Sequence, residues 1–215
     1  MTPDLSDPHA GQRILHRGPS PDQARLTMIV IHGRGADADD ILSLAAELRM
    51  SDIAYLAPQA AGNTWYPYSF LSPLERNEPQ LTSALNLISQ LVATLGAQGV
   101  STDRIGLMGF SQGACLSLEF AARNARRYAA VIGLSGGLIG PPGTPRTYSG
   151  SLDGTPVFLG CSDVDPHIPL ERVHESAEVL KGIGGTVDER IYRGMGHTVN
   201  GDELKAVMAV LKAGS

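Results

Sequence analysis

The chain has 215 residues, of which 42% are hydrophobic and 18% are charged, and its formal net charge is −5. These values predict one globular domain with a full hydrophobic core, and they exclude a disordered or fibrous protein. The scattered basic residues argue against a nucleic-acid partner, and no apolar run reaches the roughly 18 residues that would predict a membrane span.

The N-terminal segment differs from the rest of the chain in composition and periodicity. It contains several Pro, Asp and Gly residues and no sustained periodicity, which predicts a weakly structured leader over residues 1–25 with room for a short edge strand over 13–16. A single domain is predicted over residues 26–215. Residues 1–20 lack the apolar centre of a secretion signal. Because Cys115 and Cys161 also show no disulfide pattern, we expect a cytoplasmic protein with free thiols.

Apolar runs and helical periodicity alternate from residue 27 onward. The alternation predicts an α/β domain with a mostly parallel sheet and helices on both faces. Strands are predicted over 27–32, 53–57, 104–109, 130–134, 156–160 and 186–192, and helices over 39–48, 81–95, 111–126, 169–183 and 202–212.

Two connections are long for such a domain, 59–79 and 136–155, and long loops in compact domains often carry function. The first contains Trp65, Tyr66 and Phe70. Because α/β sheets bind ligands at the carboxyl ends of their strands, we predict that these rings wall a substrate pocket. The alternative is that they only pin the loop to the core.

Two serines lie in G-x-S-x-G patterns, Ser111 in residues 109–113 and Ser135 in residues 133–137. The pattern alone is weak in a glycine-rich chain. Ser111 follows an apolar strand and opens a helix, which is the context of a nucleophile elbow. Ser135 is followed by a segment rich in proline and glycine. Ser111 is therefore the predicted nucleophile, and Ser135 a turn residue.

A serine nucleophile needs a base, and histidine suits that task. In this context the base follows both the nucleophile and the acid along the chain. His174 lies within the helix predicted over residues 169–183, and His167 is expected to be exposed. His197 follows a strand through a glycine-containing turn just before the last helix. It is the predicted base.

The acid is expected after the strand over 156–160, where Asp163 and Asp165 compete. Asp165 opens the segment Asp-Pro-His-Ile-Pro, in which two prolines restrict the backbone. Asp165 is the predicted acid, and Asp163 a supporting or turn-capping residue.

Cleavage of an ester builds negative charge on the carbonyl oxygen, which backbone N–H groups stabilise. One donor is expected from Gln112, the residue after the nucleophile. The other is expected from Arg34, in the segment 32–35 that reads His-Gly-Arg-Gly directly after the first core strand.

With these motifs placed, the chain resembles the phospholipase/carboxylesterase family of small α/β hydrolases from about Met28 to about Leu211. The resemblance rests on the segments 31–35, 109–113, 165–169 and 194–197. It implies a three-layer α/β-hydrolase fold without a large lid domain and with a curtailed sheet. It also implies an acyl-enzyme mechanism without metal or other cofactor, and frequent homodimers.

One residue departs from the family pattern. Arg34 stands where many members carry leucine, so we expect its side chain to favour polar or acidic substrates; the alternative is a solvent-facing arginine. No insertion is long enough for a lipase-type lid, and the loops are too short to assure a deep acyl tunnel. Short-chain or aromatic esters are therefore the expected substrates, with an acyl-protein thioesterase or lysophospholipase as the alternative function. A catalytically inactive binding protein is disfavoured by the complete set of catalytic residues. A metal site at Asp37, Asp39 and Asp40 is disfavoured because acids at a helix start usually cap it.

Overall fold

The structure, a computed structural model, describes residues 7–213. Within that range one seven-stranded sheet has the order β1-β3-β2-β4-β5-β6-β7, and β1 alone is antiparallel to its neighbour. The strands are β1 (Ile14–Arg17), β2 (Leu26–Ile31), β3 (Ile53–Pro58), β4 (Ile105–Phe110), β5 (Ala130–Leu134), β6 (Pro156–Ser162) and β7 (Thr186–Tyr192). The α-helices are α1 (Ala38–Ala46), α2 (Gln80–Ala97), α3 (Gln112–Arg123), α4 (Leu170–Gly182) and α5 (Gly201–Ala213).

The hydrophobic core is divided between the two faces of the sheet. Successive side chains of a strand point to opposite faces. On β2, Ile29 and Ile31 belong to the cluster that includes residues of α2, α3 and α4, whereas Met28 and Val30 belong to the cluster that includes α1 and α5. The predicted three-layer α/β arrangement is confirmed. Within residues 7–213 no helix has the length and apolar character needed to cross a membrane.

The elements predicted from residue 26 onward are all present, with ends that differ by three residues or fewer. The largest difference is at α3, which ends at Arg123 rather than at residue 126. Asn124 leaves helical geometry with φ −120° and ψ 45°, and its side-chain amide donates to the Phe120 carbonyl at 3.0 Å. The Asn124 backbone N–H also donates to this carbonyl at 2.9 Å, so both groups of Asn124 close the last turn of the helix.

The described part of the N-terminal segment is more ordered than the sequence predicts; residues 1–6 lie outside the described residues. The edge strand is present as β1. His9 is buried, accepts a hydrogen bond from the Ala61 N–H at Nδ1 (3.1 Å) and donates from Nε2 to the Trp65 carbonyl (2.9 Å). Burial lowers the pKa of His9, which is consistent with this neutral form. The segment is therefore pinned to the 59–79 loop.

Candidate active site

The carboxyl ends of the parallel strands bring three predicted residues to one edge of the sheet. Ser111 follows β4, Asp165 lies just beyond β6, and His197 lies just beyond β7. Strands β4, β5, β6 and β7 are hydrogen-bonded in that order and run parallel, so their carboxyl ends share this edge.

Ser111 lies on a sharp turn between β4 and α3. Its φ of 56° and ψ of −119° are in a region that non-glycine residues rarely adopt. The flanking glycines explain how the turn closes: a Cβ on Gly109 would clash with the Gly113 backbone, and one on Gly113 would clash with the Ile31 carbonyl. The chain therefore forms the strained strand-to-helix turn that the motif predicts.

Ser111, His197 and Asp165 form a continuous chain of hydrogen bonds. His197 Nε2 is 2.8 Å from Ser111 Oγ, and His197 Nδ1 is 2.7 Å from Asp165 Oδ2. Because a carboxylate only accepts, Nδ1 carries the proton and Nε2 is free to accept from the serine hydroxyl.

The Asp165 side chain is buried, and its second carboxylate oxygen, Oδ1, also accepts hydrogen bonds. Oδ1 accepts hydrogen bonds from the backbone N–H groups of His167 (2.8 Å) and Ile168 (3.1 Å). Burial alone raises the pKa of this carboxyl, but the hydrogen bonds from His197 and the two N–H groups outweigh it and leave the pKa below its usual value. Asp165 is therefore ionised at neutral pH.

The structure does not bring the competing residues into this chain. Ser135 is buried, and its hydroxyl forms no hydrogen bond with Ser111, His197 or Asp165. His174 pairs with Glu189 at 2.6 Å on an exposed face. Asp163 accepts from the Gly194 N–H at 2.8 Å and so fastens the loop that carries His197. The supporting role predicted for Asp163 agrees with this bond.

Further support for the site was not predicted from the sequence. The Ser162 hydroxyl donates to the Met195 carbonyl, which gives the His197 loop a second attachment. The Cys161 thiol lies 3.9 Å from Asp165 Oδ2. Burial, followed by the nearby Asp165 charge, raises the pKa of Cys161 to about 12, so the group is a neutral thiol. Cys161 and Ser162 come directly before the loop that carries Asp165, and this position in the sequence is the signal by which both could have been found.

The predicted oxyanion loop lies against Ser111. A Cβ on Gly33 would be 3.5 Å from the Ser111 Cβ. Within residues 7–213 the backbone N–H groups of Arg34 and Gln112 have no acceptor, so both remain available as donors.

His32 fixes the conformation of this loop. The Ala60 N–H donates to its Nε2 at 3.1 Å, so Nδ1 carries the proton and donates to the Gly33 carbonyl at 2.7 Å. Burial lowers the pKa of His32, which keeps it in this neutral form. His32 therefore fixes the loop and lies outside the chain of hydrogen bonds formed by Ser111, His197 and Asp165.

A cavity of about 360 Å³ opens beside Ser111, and two of the three predicted aromatic residues, Tyr66 and Phe70, line it. Trp65 does not. Its ring is buried below the loop, where Nε1 donates to the His32 carbonyl at 2.9 Å and the backbone N–H donates to Gln112 Oε1 at 2.8 Å. The lining comprises Arg34, Tyr66, Pro67, Tyr68, Ser69, Phe70, Ser111, Gln112, Cys115, His167, Ile168 and His197.

Comparison with known proteins identifies the family. The sequence model of the phospholipase/carboxylesterase family matches residues 18–214. The chain belongs to this family. A phospholipase/carboxylesterase from Dyadobacter fermentans is 42% identical and superposes with a TM-score of 0.90, covering 94% of this chain and 97% of that one. The structure of esterase PE8 is 25% identical with a TM-score of 0.75.

Curated relatives of this phospholipase/carboxylesterase family member include thioesterases. The acyl-protein thioesterase 1 of Gibberella zeae is 29% identical over 90% of this chain and 92% of its own length. That of Saccharomyces cerevisiae is 25% identical over 88% and 92%. The resemblance inferred from the motifs is therefore confirmed, and with it the α/β-hydrolase fold. The protein is a hydrolase of the esterase and thioesterase class.

This family member has a second cavity, of about 390 Å³, on the other side of His197. It does not include Ser111 among its lining residues. The lining is mostly apolar and includes one carboxylate, Asp40; the residues are His32, Gly33, Ala36, Asp40, Ile41, Leu44, Phe110, His197, Thr198 and Val199. His197 is thus shared by two cavities of different character.

His167 is exposed, as predicted, but it also faces the site. Its ring lies edge-on to the His197 ring with centroids 4.8 Å apart. Within the described residues 7–213, no cluster of three or more His, Cys, Asp or Glu side chains has a metal-binding arrangement. The sequence favours a capping role over a metal site for the acids at positions 37, 39 and 40, and Asp37 and Asp40 form the capping box of α1.

Proposed function

We propose that this protein is a serine carboxylesterase that hydrolyses short-chain or aromatic carboxylic esters through an acyl-enzyme intermediate. The observation that carries the proposal is the chain of hydrogen bonds from Ser111 Oγ to His197 (2.8 Å) and from His197 to Asp165 (2.7 Å). A serine hydroxyl becomes an effective nucleophile when an adjacent base accepts its proton and a third group orients that base.

In the first half-reaction Ser111 Oγ attacks the carbonyl carbon while its proton passes to His197 Nε2. The Arg34 and Gln112 N–H groups stabilise the resulting oxyanion, a contribution of about 3 kcal/mol for each well-placed donor. The bond to the alcohol then breaks, and His197 returns the proton to the departing oxygen. A water molecule repeats the sequence on the acyl-enzyme, which releases the carboxylic acid and restores Ser111.

The size of the cavity beside Ser111 supports a compact acyl group. Its volume of about 360 Å³ is close to the lower end of the roughly 300–1,000 Å³ typical of ligand sites. Tyr66, Phe70 and Ile168 give it apolar walls. The apolar walls favour aliphatic or aromatic acyl groups, and the small volume favours short ones over long ones.

The second candidate function is hydrolysis of longer acyl chains by an acyl-protein thioesterase or a lysophospholipase. The observation that favours it is the likeness to relatives named acyl-protein thioesterase 1, which extends over 87–90% of this chain. The proposed catalytic residues serve ester and thioester cleavage equally well, so acyl length is the property that distinguishes the two functions.

The test is hydrolysis of p-nitrophenyl esters from acetate to palmitate by wild type, Ser111→Ala and Ser135→Ala, with a chelator present. The proposal predicts a maximum of kcat/KM at short chains, loss of activity in Ser111→Ala and retention in Ser135→Ala. A maximum at long chains would favour the thioesterase or lysophospholipase function. Activity that survives in Ser111→Ala, or that the chelator abolishes, would contradict the mechanism.

A further inference from the structure

We infer that the acyl part of the substrate ends in a carboxylate, which the Arg34 guanidinium binds at the mouth of the active-site cavity. The inference rests on the proposed function, since it concerns the substrate of the same site. It assigns the enzyme to half-esters of dicarboxylic acids, in which one carboxyl is the cleaved ester and the other remains free and charged.

The Arg34 side chain is held in place at the rim of the cavity. Its Nη1 donates to the Pro67 carbonyl at 2.8 Å and its Nη2 to the Tyr68 carbonyl at 2.6 Å. The guanidinium carbon is 6.0 Å from the centroid of the Tyr66 ring, which forms part of the cavity wall. A guanidinium has five N–H donors, so these two bonds leave three for a ligand. Two fixed bonds also mean that little side-chain entropy is lost on binding.

Among residues 7–213 the positive charge of Arg34 has no counter-ion. Both of its hydrogen-bond acceptors are carbonyls, and within residues 7–213 no carboxylate lies within 4.0 Å of the guanidinium. The described lining of the cavity includes no Asp or Glu. Arg172 offers a contrast, since its guanidinium, 5.9 Å from the Phe70 ring centroid, is paired with Glu175 at 2.8 Å. An arginine beside a cavity without any acid is suited to an anionic ligand.

The two cavities indicate which part of the ester carries the charge. Arg34 shares its cavity with Ser111, Gln112 and Cys115, whereas the second cavity lies beyond His197, the group that gives its proton to the leaving alcohol. The second cavity includes the Asp40 carboxylate, which repels an anion. The acyl part therefore occupies the Arg34 cavity, and an uncharged alcohol occupies the second.

The experiment compares two esters of similar length. Ethyl hydrogen glutarate ends in a carboxylate, whereas ethyl hexanoate ends in a methyl group, and the acid released from each is titrated at constant pH. We expect wild type to prefer the glutarate half-ester. Arg34→Leu is expected to lower kcat/KM for that ester by about ten- to a hundredfold, the range for one charge-assisted hydrogen bond, while the value for ethyl hexanoate changes far less.

Three controls separate charge recognition from support of the loop. Arg34→Lys retains the charge and is expected to recover part of the preference. Arg126→Leu removes an exposed arginine that donates to the Asn124 carbonyl and lies between α3 and the amino end of β5, away from Ser111. This substitution is expected to leave the ratio of the two kcat/KM values unchanged. Added salt is expected to lower kcat/KM for the anionic ester selectively.

Two outcomes would overturn the inference while leaving the proposed function intact. One is an Arg34→Leu variant in which kcat/KM falls equally for both esters, which would assign Arg34 only to holding the loop. The other is a wild-type enzyme that prefers ethyl hexanoate. Hydrolysis of neither ester by wild type, together with inactivity on the p-nitrophenyl series, would instead contradict the proposed function.

Discussion

Glu203 provides a quantitative test of the packing around the His197 loop. It lies in the first turn of α5, and its side chain is buried. Oε2 accepts from the Asn200 N–H at 2.8 Å, whereas Oε1 has no hydrogen-bond partner among residues 7–213. Burial raises the pKa of this carboxyl from 4.5 to about 7. We predict that Glu203→Gln stabilises the protein above neutral pH.

The sign and size of the effect follow from the pKa difference between the folded and unfolded states. Below pH 4.5 both states hold the proton, so the buried group imposes no electrostatic cost. As the pH rises to about 7, the unfolded chain loses the proton while the folded protein retains it, and the folded state loses relative stability. At about 1.4 kcal/mol for each pKa unit, the loss approaches about 3 kcal/mol. Glutamine keeps an acceptor for the Asn200 N–H without the charge.

The assay is urea unfolding of wild type and Glu203→Gln at about pH 5 and about pH 8. The free energies of unfolding are expected to agree within about 1 kcal/mol at the lower pH, and the variant is expected to gain up to about 3 kcal/mol at the higher pH. Glu47→Gln, at an exposed glutamate, is the control and is expected to change little at either pH. Equal or lower stability of Glu203→Gln at the higher pH would refute the reasoning.

Three further predictions test the proposed catalytic residues and the packing behind them. Asp165→Asn is expected to lower kcat by about three to four orders of magnitude, because His197 loses the acceptor that fixes its tautomer; a decrease smaller than tenfold in an ester assay would contradict this. Iodoacetamide is expected to leave Cys115 and Cys161 unmodified in the folded protein at about pH 8, because burial raises the pKa of both thiols to about 12. Labelling is measured by mass spectrometry in the folded protein and in urea. Equal labelling in the two conditions would be inconsistent with these pKa values. In the same urea-unfolding assay, Gly113→Ala is expected to lower the free energy of unfolding by about 1–3 kcal/mol or more, because the added Cβ would clash with the Ile31 carbonyl. Gly96→Ala is the control. A Cβ at this position of α2 meets open space, so the substitution is expected to be neutral or stabilising.

The regular elements, and the meeting of Ser111, Asp165 and His197 at the ends of their strands, could be predicted from the sequence because both follow from local patterns and their order along the chain. The strand Ala130–Leu134 is a continuous apolar run, and the two ends of β7 were likewise predicted at Thr186 and Tyr192. Local context also distinguished the two G-x-S-x-G segments, since a helix follows Ser111 and none follows Ser135. Periodicity and motif order are properties that a single sequence displays directly.

The features that the sequence did not reveal depend on contacts between distant segments. His9 lies 56 positions from Trp65, whose carbonyl it binds, and nothing in the surrounding Pro- and Asp-containing text indicates burial. Trp65 was expected at the pocket wall together with Tyr66 and Phe70. Its position below the loop follows from the bond to the His32 carbonyl, which sequence spacing cannot predict. The hydrogen bonds from Arg34 to the Pro67 and Tyr68 carbonyls likewise join distant segments and could not be predicted from sequence spacing.

Covalent labelling tests most directly whether Ser111 is the nucleophile. A fluorophosphonate probe reacts with a serine that an adjacent base activates, and peptide mass spectrometry locates the adduct. We predict one adduct on Ser111 in wild type and in Ser135→Ala, and no adduct in Ser111→Ala. An adduct on Ser135, or labelling that persists in Ser111→Ala, would contradict this prediction.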